Sequence, residues 1–246
     1  MKLAVLADIH GNLEALTTVL EDAARRGVHR TMCLGDLVGY GASPHECIGR
    51  LRELPKTGTV LGNHDAAVFW QSSPYGMNAA ARESIMWTME QLQDDDMDYL
   101  RTLKPIRKMG DMLFSHANPY NSRGYRYVNN RKYALRSFAA TSEQLLFVGH
   151  THRPLVITRR NLLQLDFRTP EPGEVLPIMA DKRQIINGGS VGQPRDGDPR
   201  ASYCIVNTRE KSVGFYRLDY DRQRSAERIR EAGLPSFHAR RLLEGF

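Results

Sequence analysis

The chain reads as an α/β protein, and three observations predict that class. Short apolar runs alternate with amphipathic stretches through residues 1–152. Several of the runs are apolar throughout, as in strands covered on both faces. Each ends in a small polar turn, at the edge where open α/β sheets bind ligands.

Leu3–Ala7 is the first such run, closed by Asp8-Ile9-His10-Gly11-Asn12. Leu13, Leu16, Leu20, Ala23 and Ala24 then share a helical stripe, and Gly27 is a plausible stop. Thr31–Leu34 is the next strand, with Gly35-Asp36 at its end. A strand–helix–strand unit implies parallel pairing and a right-handed crossover. Pro44–Leu54 repeats the helix, with Ser43 as N-cap and Pro44 at its first position. Thr59-Val60-Leu61 repeats the strand, and Gly62-Asn63-His64-Asp65 closes it.

A helix is expected over Asn78–Leu92. Asp94-Asp95-Asp96 is acidic enough to suggest a cation site, but fits better as the first turn of a helix continuing through Leu103. Met112–Phe114 is a strand ending in Ser115-His116-Ala117-Asn118, and Leu145–Val148 one ending in Gly149-His150-Thr151-His152. Beyond it, Leu155–Thr158, Gln184–Ile186, Tyr203–Asn207 and Val213–Leu218 predict an antiparallel portion. Glu171–Ala180, with its prolines, reads as a loop, and 221–246 as a basic tail of two short helices broken near Gly233-Leu234-Pro235. No composition shift marks a boundary, so residues 1–246 are read as one domain.

The net charge of +6 suits anionic partners such as phosphate compounds or nucleic acid, and equally a general solubility charge. The tail lacks interleaved aromatics, so nucleic acid is not the favoured partner. Cys33, Cys47 and Cys204 are an odd count without a C-x-x-C pair, which argues against a disulfide framework or zinc knuckle. No long uncharged run occurs, so a cytoplasmic chain with no membrane partner is expected. A homo-oligomer is compatible with the sequence.

Five strand ends therefore carry carboxylate, imidazole or amide groups: Asp8 and His10; Asp36; Asn63 and His64; His116; His150 and His152. That donor mixture suits manganese, iron, zinc, nickel or cobalt. Seven candidate ligands exceed one tetrahedral site and fit two ions sharing a carboxylate. Each motif alone is weak, because a lone buried histidine is usually a hydrogen-bonded core residue. The ordered set is specific.

On Asp8-Ile-His10, Gly35-Asp36, Gly62-Asn63-His64-Asp65, His116 and Gly149-His150-Thr-His152, the chain resembles the calcineurin-like metallophosphoesterase superfamily. Gly189-Ser190-Val191-Gly192-Gln193-Pro194-Arg195 also resembles a loop of small bacterial members, in which proline commonly stands where Gly188 does here. The resemblance implies two sheets packed face to face with helices on both sides. It implies Asp8, His10, Asp36 and His152 on one divalent ion and Asp36, Asn63, His116 and His150 on the other. Manganese is the first expectation. The implied reaction is hydrolysis of a phosphoester by in-line attack of a metal-bridging hydroxide, with His64 as general acid.

The protein Ser/Thr phosphatases continue the Gly-Asp motif with an Asp-Arg pair, where this chain has Gly39-Tyr40. Both the orienter of the acid histidine and the phosphate-gripping arginine are missing there. A phosphodiester is therefore favoured over the alternatives, a phosphomonoester or a dinucleoside polyphosphate. A non-catalytic scaffold ranks low because His64 and every ligand are retained, and a nuclease ranks below the small-molecule or nucleotide reading. Asn12, Asn118, Arg153 and Arg195 are the candidate substrate contacts. Asp65 is left between orienting His64 and capping the helix that follows.

Overall fold

Leu3, Val5 and Ala7 turn one way along the first strand, and Ala4 and Leu6 turn the other. Both faces are buried, which is why the run is apolar throughout. A computed structural model of the chain describes residues 1–69 and 77–246. Its first half runs β1 (Lys2–Leu6), α1 (Leu13–Arg25), β2 (Arg30–Cys33), α2 (Pro44–Arg52), β3 (Thr57–Thr59), α3 (Asn63–Ala67), α4 (Ala79–Gln91) and α5 (Asp94–Thr102). Next come β4 (Ile106–Met109), β5 (Met112–Ser115), α6 (Arg131–Ala139), β6 (Leu145–Phe147) and β7 (Pro154–Arg159). The chain closes with β8 (Leu165–Arg168), β9 (Val175–Pro177), β10 (Arg183–Gly188), β11 (Ala201–Asn207), β12 (Ser212–Leu218), α7 (Arg222–Glu231) and α8 (Ser236–Glu244).

The strands form two six-stranded sheets, ordered β3-β2-β1-β11-β12-β9 and β4-β5-β6-β10-β7-β8. Strands β1, β2 and β3 pair in parallel, as the strand–helix–strand reading expects. Strands β5, β6 and β10 are also parallel, while β7, β8, β11 and β12 make antiparallel pairs. Between the sheets lies one apolar layer, where Leu3, Val5, Leu34, Phe114, Phe147, Val206 and Phe215 meet. Outside the first sheet, Ala4, Leu6 and Cys33 pack against Leu16, Val19, Ile48 and Leu51 of α1 and α2. Outside the second, Leu146, Ile157 and Ile185 pack against Ala134 and Phe138 of α6. The two mixed sheets flanked by helices are the architecture that the resemblance implies, and all three cysteines are free and buried in it.

Local signals hold in several places. Asn12 caps α1 by accepting Ala15 N–H at 3.1 Å, and Pro44 opens α2. The acidic run occupies the first turn of α5, where Asp96 accepts Gln93 N–H and meets His45 Nδ1 at 2.7 Å. It is a helix start, stabilised by the macrodipole.

Four elements were not legible. Strand β4 is a polar edge strand, α6 is basic, and β8 is half exposed, so none carries a clear apolar period. Strand β9 lies within the stretch expected to be a loop, and Pro177 is tolerated because β9 is an edge strand. The break between α7 and α8 falls at the expected glycine and proline. Among the described residues, no helix is long and apolar enough to cross a membrane.

Candidate metal centre

The C-terminal ends of β1, β2 and β3 in one sheet and of β5 and β6 in the other converge on one point. Their loops are laced together by backbone bonds: Asp8 N–H to Gly35 O at 3.1 Å, His10 N–H to Asp36 O at 2.9 Å and Gly149 N–H to His116 O at 2.8 Å. Tight reversal forces unusual backbone. Asp8, His10, Asp36, Tyr40, His150 and His152 all have φ between 51° and 67°. That left-handed region costs a side-chain-bearing residue about 1–3 kcal/mol each. Gly62 serves the same packing, since a Cβ there would stand 2.1 Å from Asp36 Oδ1.

All eight expected site residues come together. Asp8, His10 and His152 form one group of mutually close donor atoms, and Asp36, His116 and His150 another. Asn63 Oδ1 joins the second, 3.0 Å from His116 Nε2. Asp36 Oδ2 lies 3.7 Å from His10 Nε2 and 3.3 Å from His116 Nε2, and so connects the two.

The hydrogen bonds fix which ring nitrogens carry protons. His10 Nδ1 donates to Val38 O at 3.0 Å, His116 Nδ1 to Leu34 O at 2.8 Å and His152 Nδ1 to Gln193 O at 2.6 Å. A carbonyl only accepts, so each Nε2 of the neutral ring presents a lone pair. Yet His10 Nε2 faces His152 Nε2 at 3.3 Å, and His116 Nε2 faces His150 Nδ1 at 3.1 Å. Converging acceptors with the far nitrogen tied to a carbonyl are what divalent ions require. The residues present fit metal binding.

Electrostatics agrees. Burial, with smaller effects from neighbouring charges, holds His10 and His152 well below the usual histidine range and His150 down to about 3. These rings stay neutral and available. Burial, together with the Asp36 charge, pushes Asp8 up to about 7, even though His116 opposes it. For Asp36 itself, burial opposes ionisation, but His116, His64 and His10 hold it well below the carboxylate range. Burial also opposes charge on His116, yet Asp36 and Asp8 push it up to about 9. Left to themselves, the carboxylates draw a proton onto His116, so the cluster calls for positive charge.

His64 lies in the first turn of α3, with its backbone N–H on Asp36 Oδ1 at 2.8 Å. Its ring lies 4.8 Å from His10 and 4.4 Å from Tyr40, centroid to centroid. Its buried Nδ1 has no hydrogen-bond partner among the described residues. Among the described residues, it is the packing of His10 and Tyr40 that borders the ring. Asp65 is not the orienter: its carboxylate accepts N–H groups of Asp36, Leu37, Val38 and Gly62.

The candidate substrate contacts divide. Asn12 is fully engaged, donating to Gly192 O and Tyr220 OH and accepting from Ala15 N and Ser225 Oγ. Those bonds give Asn12 a structural role that ties its loop to α1 and α7. Asn118 is likewise buried and bonded within its own loop, to Asn121 and Arg126. Arg153 Nε donates to Arg195 O at 2.7 Å on the exposed side. Arg195 leans over Tyr40, its guanidinium carbon 5.5 Å from the ring centroid. Sequence reasoning passed over Tyr40 and Gln193, which touch the site residues through their rings and carbonyls. An aromatic with φ of 64° among the loops that carry the aspartates and histidines is visible only in three dimensions.

The model of the calcineurin-like phosphoesterase superfamily domain matches residues 1–211. Uncharacterized protein MJ0912 of Methanocaldococcus jannaschii is 37% identical over 99% of this chain and 98% of its own length. A metallophosphoesterase structure from Sphaerobacter thermophilus is 40% identical, with a TM-score of 0.91 over 100% of this chain and 99% of that one. The structure of hypothetical protein PH1004 from Pyrococcus horikoshii shares the fold at 21% identity, with a TM-score of 0.77 over 100% and 98% of the two chains. Two helix-flanked mixed sheets, a strand-end cluster of aspartates and histidines, and these matches together place the chain in the calcineurin-like phosphoesterase superfamily.

Proposed function

We propose that this chain is a phosphoester hydrolase dependent on two divalent ions, with manganese the first expectation. Asp8, His10, Asp36 and His152 hold one ion, and Asp36, Asn63, His116 and His150 hold the other. One observation carries the reading: ring nitrogens of His10 and His152, and of His116 and His150, face one another in two groups joined by Asp36 Oδ2, and in the second group the carboxylates draw positive charge onto His116.

When bound, such ions supply Lewis acidity toward phosphoryl oxygens and an activated water. The chain's own residues do the rest. Asp8 and Asp36 are anchored by backbone N–H groups of His150 and His64, which keeps their oxygens aimed inward. The buried Tyr40 ring packs against His10 and His64. His64 is the proton donor to the leaving oxygen. Burial lowers its pKa to about 4, so it is neutral in the free protein and takes up its proton as the phosphoryl anion arrives.

A diester is the favoured substrate, because the chain resembles small bacterial members and because Gly39-Tyr40 stands in place of a pair whose arginine would grip a dianionic monoester. A phosphomonoesterase and a dinucleoside polyphosphate hydrolase are the neighbouring readings. The test loads chelator-stripped protein with manganese and assays bis-p-nitrophenyl phosphate, p-nitrophenyl phosphate and a dinucleoside polyphosphate. The expected result is activity only with metal, and faster on the diester than the monoester. Turnover by metal-free protein overturns the mechanism. A monoester preference overturns the diester assignment.

A further inference from the structure

The two last helices, expected as a basic outer tail, reach the rim of the site. Arg228 Nε of α7 donates to Glu14 at 2.7 Å, which ties that helix to α1. On α8, His238 Nε2 donates to Ala80 O at 3.2 Å, and its ring lies 4.7 Å from that of Tyr40. The helix is thus docked against the residue that packs on His64.

One turn of α8 later stands Arg241, whose Nη1 is 3.4 Å from Gln193 Oε1. Arg195 donates to the same oxygen from Nε at 3.2 Å and Nη2 at 2.8 Å. Two guanidiniums therefore converge on one neutral amide oxygen. Arg200 pairs with Asp198, Arg217 with Asp196 and Arg228 with Glu14, whereas Arg153 and Arg240 form no ion pair among the described residues. Neither Arg195 nor Arg241 forms an ion pair among the described residues.

Two buried donors there also lack partners among the described residues: Arg241 Nε and Gln193 Nε2. Gln193 is 1% exposed. Both atoms can only donate, and buried donors are normally satisfied. Burial and the neighbouring Arg195 charge both work against the Arg241 cation. Paired positive charge with unsatisfied donors asks for an anion, and the planar guanidinium fork matches phosphoryl oxygens.

We infer that Arg195, Arg241 and the Gln193 amide form a second anion subsite, which takes a phosphate carried on the leaving half of the substrate. The leaving side follows from Tyr40, whose ring lies 4.4 Å from that of His64 and 5.5 Å from the Arg195 guanidinium carbon. The assignment of that side rests on the phosphoesterase reading, in which His64 protonates the leaving oxygen. The substrate class is a phosphoester or pyrophosphate linkage whose leaving group ends in phosphate.

The test is binding of two probes to the manganese-loaded full-length chain, orthophosphate and the non-hydrolysable methylenediphosphonate. The wild-type chain should favour the diphosphonate by about tenfold or more, as expected for charge-assisted hydrogen bonds to a second phosphoryl group. Arg241→Gln and Arg195→Gln should each shrink that ratio toward one, and Arg241→Lys should recover part of it. A clamp that only docks α8 would lower the melting temperature or weaken both probes alike. Equal binding of the probes by wild type, or a ratio unchanged in both glutamine variants, overturns the subsite. If Arg241→Gln does not fold, Arg195→Gln, on a loop, decides alone. A chain that shows the ratio yet hydrolyses no phosphoester keeps the subsite and loses the phosphoesterase reading.

Discussion

Asp65 accepts the backbone N–H of Asp36 at 2.8 Å, and so one carboxylate sets the loop from which another faces the histidine cluster. The same buried side chain also takes N–H groups of Leu37, Val38 and Gly62. Burial, with the Asp36 charge nearby, pushes its pKa up to about 7. Asp65→Ala should therefore strand four buried donors and destabilise the fold by roughly 3–5 kcal/mol. Denaturant unfolding measures this, and an unchanged midpoint would contradict the assigned role. Asp65→Asn should cost less, and its loss of metal should track its loss of stability.

Asp36→Asn bears on the two-ion assignment. Asp36 Oδ2 connects the two groups of donors, so the substitution should reduce metal content and activity together. Elemental analysis of the purified variant is the check. Two ions retained per chain would sink the shared-carboxylate reading.

His64 is open to a sharper kinetic test. His64→Ala should keep its metal while turnover falls by about 10²–10⁴, the range for general acid catalysis. The fall should be steepest for substrates with poor leaving groups, and equal slowing across leaving groups would argue against the acid role. Gly39→Ala should act on the same ring indirectly, because the new Cβ would stand 2.3 Å from His64 Nδ1 at a φ of +83°. It should lower turnover with metal content unchanged.

A pH experiment isolates one tertiary contact away from the site. Asp22 Oδ2 accepts from Arg26 Nε and from Tyr203 OH, each at 2.6 Å. Burial opposes its charge, but the Arg26 and Tyr203 hydrogen bonds hold its pKa below the usual aspartate value. Its contribution is therefore present above the unfolded-state pKa of about 3.9 and is lost as pH falls through the lower folded value. The melting-temperature gap between wild type and Asp22→Asn should be flat from pH 7 to about pH 5 and close below about pH 4. A gap that widens on acidification would show the sign is wrong.

The strand ends were readable because each motif is local: an apolar run, a small residue, then a ligand-type side chain, as in Leu61-Gly62-Asn63-His64. The elements that escaped are those whose burial is one-sided or slight. Strand β4, Ile-Arg-Lys-Met, owes its place to pairing with β5 rather than to any apolar period of its own. Strand β9 exists only because the edge of β12 accepts it. Asn12 reads from the sequence as a neutral phosphate contact, but its amide bonds to Tyr220 and Ser225, more than two hundred residues away in sequence.

By itself, the sequence determined the α/β class and which strand ends carry ligand-type side chains, because both follow from short-range patterns of burial and polarity. Only the tertiary structure decided which atoms of those side chains meet, since that depends on two sheets packing face to face and on which carbonyl each imidazole donates to. It also decided that Asp65 builds the Asp36 loop, that Tyr40 packs on His64, and that Arg241 of the basic tail reaches Gln193. These are long-range contacts, and a chain's local pattern carries no record of the partner that a distant segment will bring.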